Sequence, residues 1–186
     1  MAESDRERWD RRYTDPLDRL KRGPNPLLER RAPRRAGLRA LELACGLGQN
    51  ALWLAAQGYT VDAFDISLAA LRHARAEMLR RGLSGVHFVV ADLDHFVLPA
   101  HSYDLVLVFR FLDRQLFPAI RDRVRPGGLV IYQTFNIRQR ARRPSVSAAH
   151  MLCLGELPGH FPGWETLEAS DEEYVSTFVG RKPANS

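Results

Sequence analysis

Cysteine is scarce in this 186-residue chain. Cys45 and Cys153 stand alone, without the spacing of a disulfide framework or a thiolate metal site. The six histidines are scattered without ligand spacing, so no metal site is expected; His73 and His87 read as helix-surface and strand residues. Long apolar runs are lacking too, and "LVLVF", ending at Phe109, is far shorter than the roughly 20 residues a membrane helix needs. The opening "MAESDRERWDRRY" has no apolar core for a secretory signal. Its Glu3, Asp5, Glu7 and Asp10 oppose the acid-poor composition of a transit peptide. Internal repeats and low-complexity tracts are absent. What remains is a soluble protein with no membrane partner, expected in the cytoplasm, whose 45% hydrophobic residues suffice for one core.

Lysine is nearly missing as well, occurring only at positions 21 and 182, so the net charge of +5 is carried by arginine. That charge permits an anionic partner without requiring one. Residues 1–36 are polar, rich in arginine and punctuated by Pro16, Pro24, Pro26 and Pro33. A short helix over Glu3 to Tyr13 would set Trp9 and Tyr13 four apart on one face, where they pack on the rest of the chain or cover a ligand. From residue 37 strands and helices alternate: "LRALELA", then "QNALWLAAQG" with Gly58 as its cap, then "YTVDAFD". A helix opening on Ser67 and closing on Gly82 should bury Leu68, Leu71 and Met78. "VHFVVAD" and "YDLVLVFRF" are the third and fourth strands, a helix through "RQLFPAIRDRV" follows, and "RPGGLVIYQTF" is a turn feeding the fifth strand. "GWETLEAS" and "EYVSTFVGRK" are too close for a crossover helix and read as a hairpin. The fold class is therefore α/β, a doubly wound, mostly parallel sheet with helices on both faces and a C-terminal antiparallel hairpin.

Ligands of such sheets bind at the carboxyl ends of the strands. The first strand ends in "ACGLGQN", where glycines let backbone amides approach a ligand. "GLGQNA" also fits the dinucleotide fingerprint, so this loop alone admits either cofactor. Three features bear on the choice. Glu42 lies inside the strand, where a buried acid needs partners and would repel a pyrophosphate, so it suits a cofactor that carries positive charge. Asp65 and Asp92 end the second and third strands, the first placed for ribose hydroxyls, the second with the Leu93 amide for an adenine edge. A dehydrogenase usually has a further substrate domain, and only the residues after Phe135 remain for one.

With these residues the chain resembles class I S-adenosylmethionine-dependent methyltransferases from residue 37 onward. The family's acid-x-Gly-x-Gly-x-Gly loop is matched by Glu42, Ala44, Gly46 and Gly48. Ala44 replaces the first glycine, which is harmless if that residue keeps a negative φ. The acids Asp65 and Asp92, the "RPGG" turn and the terminal hairpin match as well. "RERWDRRY" resembles the opening of small bacterial methyltransferases of the tellurite-resistance type, in which Arg12 and Tyr13 would help cover the methionine end of the cofactor.

The resemblance implies S-adenosyl-L-methionine as cofactor. Ala44, Cys45 and Gly46 would hold its amino-acid part, with Asn50 beside them, and Glu42 would receive its ammonium. Asp65 would bind the ribose, Ile66 would pack on adenine, Asp92 and Leu93 would read its amino edge, and Phe109 with Arg110 would lie beside the methyl. Residues 1–36 then form an N-terminal helical lid and 37–186 the methyltransferase domain. Asp65→Ala should weaken cofactor binding with little change in stability. Transfer to a small-molecule acceptor is an in-line displacement that needs alignment and exclusion of water, with Asp113, Tyr132, Asn136 and His150 as alternative bases. Arg138, Arg140, Arg142 and Arg143 would suit an anionic substrate, a nucleic-acid backbone or simply a solvated loop; the lack of interleaved aromatics weighs against stacked single strands. The rival readings are an NAD-dependent oxidoreductase and a cofactor-binding regulatory protein without catalysis.

Overall fold

The computed structural model describes residues 2–14, 23–100, 102–144 and 146–184; Pro16 and Lys21 lie outside them. It comprises two compact units, one ending at Val97 and the other beginning at Leu98.

In the first unit, α1 (Ala2–Tyr13) is the helix expected, with the Trp9 and Tyr13 rings stacked 6.0 Å apart. A second helix, α2 (Pro26–Arg31), was not expected among the prolines. Its signals are local: the Asn25 side chain caps the Leu27 amide, and Pro26 at the first helical position gives up an N–H that would have had no partner. Leu27 and Leu28 are buried and fasten it to the core.

The strands β1 (Arg39–Leu43), β2 (Thr60–Asp65) and β3 (Val86–Val90) form a parallel set in the order β3-β2-β1. Leu43 pairs with Phe64 and Asp65 with Val90, so the three carboxyl ends come level. Helix α3 (Gln49–Ala56) follows the first strand, and α4 (Leu68–Arg80) follows the second with Ser67 as its cap. The buried stripe of α4 is Ala70, Leu71 and Ala74; Leu68 is exposed and Met78 half-buried, unlike the stripe expected. Small residues win because α4 packs close to the glycine loop: a Cβ on Gly48 would lie 3.1 Å from that of Ala74.

The second unit holds β4 (Tyr103–Phe109), α5 (Leu116–Arg123), β5 (Val124–Phe135), α6 (Glu156–Gly159), β6 (Glu165–Glu172) and β7 (Val175–Arg181). Its strand order is β4-β5-β7-β6, with β4 and β5 parallel and the last two strands a hairpin. "RPGG" is part of β5 rather than a free turn, because Gly127 and Gly128 exchange backbone hydrogen bonds with Lys182. The chain is thus α/β, with mostly parallel strands and an antiparallel C-terminal hairpin, as the sequence implied. Among the described residues no helix is long and apolar enough to cross a membrane.

Candidate cofactor site

The loop after β1 continues the ladder for one more step, the Cys45 amide donating to the Phe64 carbonyl at 2.9 Å. It then turns through three residues of positive φ: Ala44 at 55°, Gly46 at 55° and Gly48 at 70°. The negative φ that would make alanine harmless at position 44 is therefore not what the turn has. The turn needs a left-handed residue where the motif has glycine, and alanine holds that conformation at a cost of about 1–2 kcal/mol. Ala44→Gly should stabilise the fold by about 0.5–1 kcal/mol once the entropy of the freer unfolded chain is subtracted. Chemical denaturation would read this as a higher midpoint at unchanged slope.

Asp65 fixes the loop from the next strand. Its Oδ2 accepts the Gly46 amide at 2.7 Å and its Oδ1 the Ser67 amide at 2.9 Å. Burial raises its pKa above the usual carboxylate range and the nearby Asp10 charge adds to this, while the Ser67, Gly46 and Ile66 amides oppose it. The expectation that Asp65 matters little to stability fails here, since its carboxylate satisfies two backbone donors inside the fold. Each oxygen keeps a further lone pair, so both can still accept a ribose hydroxyl.

Glu42 is buried one strand away. Its Oε1 accepts from Asn50 Nδ2 at 2.8 Å, while Oε2 is shut off from solvent without a hydrogen-bond partner. Burial pushes its pKa up to about 8, against the Asn50 bond and the Ala51 amide and with the help of the Asp65 charge. Cys45 is buried beside it, and burial followed by the charges of Asp65 and Glu42 raises its thiol pKa well above normal. A thiol held protonated in this way is a poor nucleophile.

The N-terminal helix reaches the same loop. A Cβ on Gly46 would lie 2.9 Å from the Tyr13 hydroxyl, so that hydroxyl already rests on the glycine. Asp10 Oδ1 accepts the Ser67 hydroxyl at 2.6 Å and the Ala69 amide at 3.0 Å, adding a second cap to α4. Burial would raise the Asp10 pKa, but these two bonds hold it below the ordinary value. Arg12 is exposed, with its guanidinium 5.3 Å from the Trp9 ring centre.

Ile66 is half-buried directly after Asp65. The Ala91 amide donates to the Asp65 carbonyl at 3.0 Å, which sets Asp92 and Leu93 next in line. Asp92 Oδ1 accepts the Asp94 amide at 3.2 Å, and the Leu93 side chain is buried. The first unit therefore brings Glu42, Ala44, Cys45, Gly46, Asn50 and Asp65 together around one loop. Sequence reasoning missed the roles of Asp10 and Asn25, whose partners lie too far along the chain to show in any local pattern.

Phe109 and Arg110 belong to the second unit. Arg110 takes a positive φ of 58°, and its amide donates to the Gln133 carbonyl at 2.8 Å. Of the alternative bases, Tyr132 is fully buried, bonds its hydroxyl to the Phe111 carbonyl and has a pKa raised by that burial. Asn136 is also buried, spending its amide on the Arg138 amide and the Glu172 carbonyl. Neither can take a proton from an acceptor. Asp113 accepts the Gln115 amide ahead of α5, and His150 is exposed on a short 3-10 helix.

Two of the four clustered arginines, Arg138 and Arg142, are engaged by the hairpin. Arg138 donates to the Asp171 carbonyl, Arg142 pairs with Glu173 and stacks 3.9 Å over Tyr174, and Arg143 lies over Phe135. Aromatic partners missing from the local sequence are thus supplied by folding.

A left-handed glycine turn clamped by Asp65, beside a buried carboxylate oxygen that has no hydrogen-bond partner, suits a ligand that brings a cation. S-adenosylmethionine carries such a cation in its ammonium.

The family profile described as a methyltransferase domain matches residues 40–128. A ubiquinone biosynthesis O-methyltransferase of Thiobacillus denitrificans is 32% identical over 121 residues, 60% of this chain and 52% of the relative. The chain spans about half the length of the curated relatives it matches. Among solved structures, the N-methyltransferase NodS of Bradyrhizobium japonicum, in complex with S-adenosyl-L-homocysteine, superposes with a TM-score of 0.75 at 18% identity, over 96% of this chain and 98% of that one. An S-adenosylmethionine-dependent methyltransferase of Mesorhizobium loti gives 0.70 at 19% identity over 84% and 96%. At such identities the two structures speak for the fold.

Proposed function

We propose that the protein transfers a methyl group from S-adenosyl-L-methionine to a small-molecule acceptor: a methyltransferase-domain profile matches residues 40–128, and the chain shares the fold of solved methyltransferases. The observation that carries the reading is the buried Oε2 of Glu42, without a hydrogen-bond partner, beside a glycine loop clamped by Asp65. When bound, the cofactor supplies a sulfonium methyl already activated for displacement, so the chain has no covalent intermediate to build. Its own residues bind and orient: the loop Ala44–Gly46 and Glu42 at the amino-acid end, Asp65 at the ribose, and Ile66, Asp92 and Leu93 around the adenine. Phe109 and Arg110 are assigned to the methyl side. Residues 1–36 act as a cover, with Tyr13 against the loop and Arg12 serving the methionine end of the cofactor, and 37–186 form the catalytic domain.

The curated relatives are named for O-methyl transfer in ubiquinone biosynthesis, which supports a small-molecule acceptor. An anionic acceptor would draw on Arg140, since Arg138 and Arg142 engage the hairpin and Arg143 lies over Phe135 of β5. The narrower tellurite-resistance type rests on "RERWDRRY" alone, and the cytoplasm is the proposed compartment.

Calorimetry with S-adenosylmethionine, S-adenosylhomocysteine and NAD tests the cofactor. Binding of the first two without NAD is expected, and binding of NAD alone would overturn the reading. A methyl-transfer screen over metabolite pools then separates an enzyme from a binding protein.

A further inference from the structure

The Asn50 side chain stands between two groups that have no local relation in sequence. Its Oδ1 accepts the backbone N–H of Asn25 at 2.8 Å, at the head of α2, and its Nδ2 donates to Glu42 Oε1 at 2.8 Å. The Asn25 donor settles the amide's orientation. Turned over, Nδ2 would oppose that N–H, and the carbonyl oxygen would oppose the carboxylate. One Glu42 oxygen is thereby occupied, and the other, buried and without a hydrogen-bond partner, is left beside the loop.

Building on the function proposed above, we infer that Asn50 is a positioning residue for the cofactor's ammonium: α2 locks its amide, and the amide holds Glu42 so that Oε2 alone meets the cation. α2 is then part of the binding apparatus without touching the ligand.

A proton accompanies this arrangement. The titratable groups facing Glu42 are Asp65 at the end of β2 and Cys45 in the loop; α3 brings the Asn50 amide and the Ala51 N–H, and Tyr13 of α1 reaches the adjacent Gly46. With burial dominant, Glu42 is mostly protonated at pH 7, whereas the paired form must be the anion. Loading an ammonium therefore releases a proton to solvent. The sign is fixed: affinity rises with pH below about 8. Between pH 6 and 7.5 the ligand's own amino group stays mostly charged, since a peptide's α-amino group already has a pKa near 7.7–8.0 and the ligand's free carboxylate makes its amine more basic.

The test is calorimetry of S-adenosylhomocysteine, which keeps the ammonium and lacks the sulfonium, in two buffers of different ionisation enthalpy from pH 6 to 7.5. The unaltered chain should release close to one proton, with affinity rising by up to about tenfold per pH unit. Glu42→Gln, nearly isosteric and still able to accept from Asn50, should abolish both the release and the slope. Asn50→Ala removes a bond that favours the Glu42 anion, so it should weaken binding and move the pH profile upward. A merely structural Asn50 would lower the melting temperature and leave the profile in place. If Asn50→Ala does not fold, Glu42→Gln decides alone. Unchanged proton release in Glu42→Gln, or an unmoved profile in a folded Asn50→Ala, overturns the inference while leaving the methyltransferase reading intact. Failure of the unaltered chain to bind S-adenosylhomocysteine overturns both.

Discussion

Asp65→Ala is expected to cost the fold about 2–4 kcal/mol and to weaken S-adenosylhomocysteine binding at least tenfold. The stability loss follows from two backbone amides, Gly46 at 2.7 Å and Ser67 at 2.9 Å, that lose their acceptor inside the protein. Each orphaned donor costs about 1–3 kcal/mol. Removing the charge also relieves repulsion with Asp10, on the order of 1 kcal/mol at the screening typical of proteins, so the amides win. Urea unfolding without ligand measures the first effect and calorimetry the second. A variant as stable as the parent would mean that Asp65 is not the clamp described.

Gly48→Ala should be nearly as costly, about 2–4 kcal/mol, for a different reason. A Cβ there would sit 2.9 Å from the Phe88 ring and 3.1 Å from the Ala74 Cβ, at a φ of 70°. The left-handed backbone contributes about 1–2 kcal/mol and overpacking against a ring and a helix about 1–3. Gly46→Ala carries the same backbone penalty, but its obstacle is the far end of Tyr13, which can swing aside. It should be the milder change in thermal melts and the more harmful one for cofactor binding, because it pushes Tyr13 off the loop. The opposite ranking in thermal melts would refute the packing described around Gly48.

Much of this was readable in sequence. The order of strands and helices followed from apolar runs and caps such as Ser67 and Gly58, and the hairpin from the short gap between β6 and β7. The glycine loop and its acids were also visible, because chemistry at strand ends uses few residue types at fixed offsets. Three things were hidden. Ala44 looked harmless, since residue type does not report φ. The proline-rich opening concealed α2, although Asn25 and Pro26 are sound start signals. The roles of Asp10 and Asn25 were out of reach, because their bonds to Ser67 and Asn50 span 57 and 25 positions, and only folding brings such pairs together.

The Asp10 bonds also bear on how short a version of this protein can be. A trimmed chain beginning at residue 37 retains every glycine and acid of the loop, and looks self-sufficient on paper. It would nevertheless expose the Ser67 hydroxyl and Ala69 amide to water and strip Asn50 of its anchor, so the smallest working fragment has to reach back at least as far as Asp10.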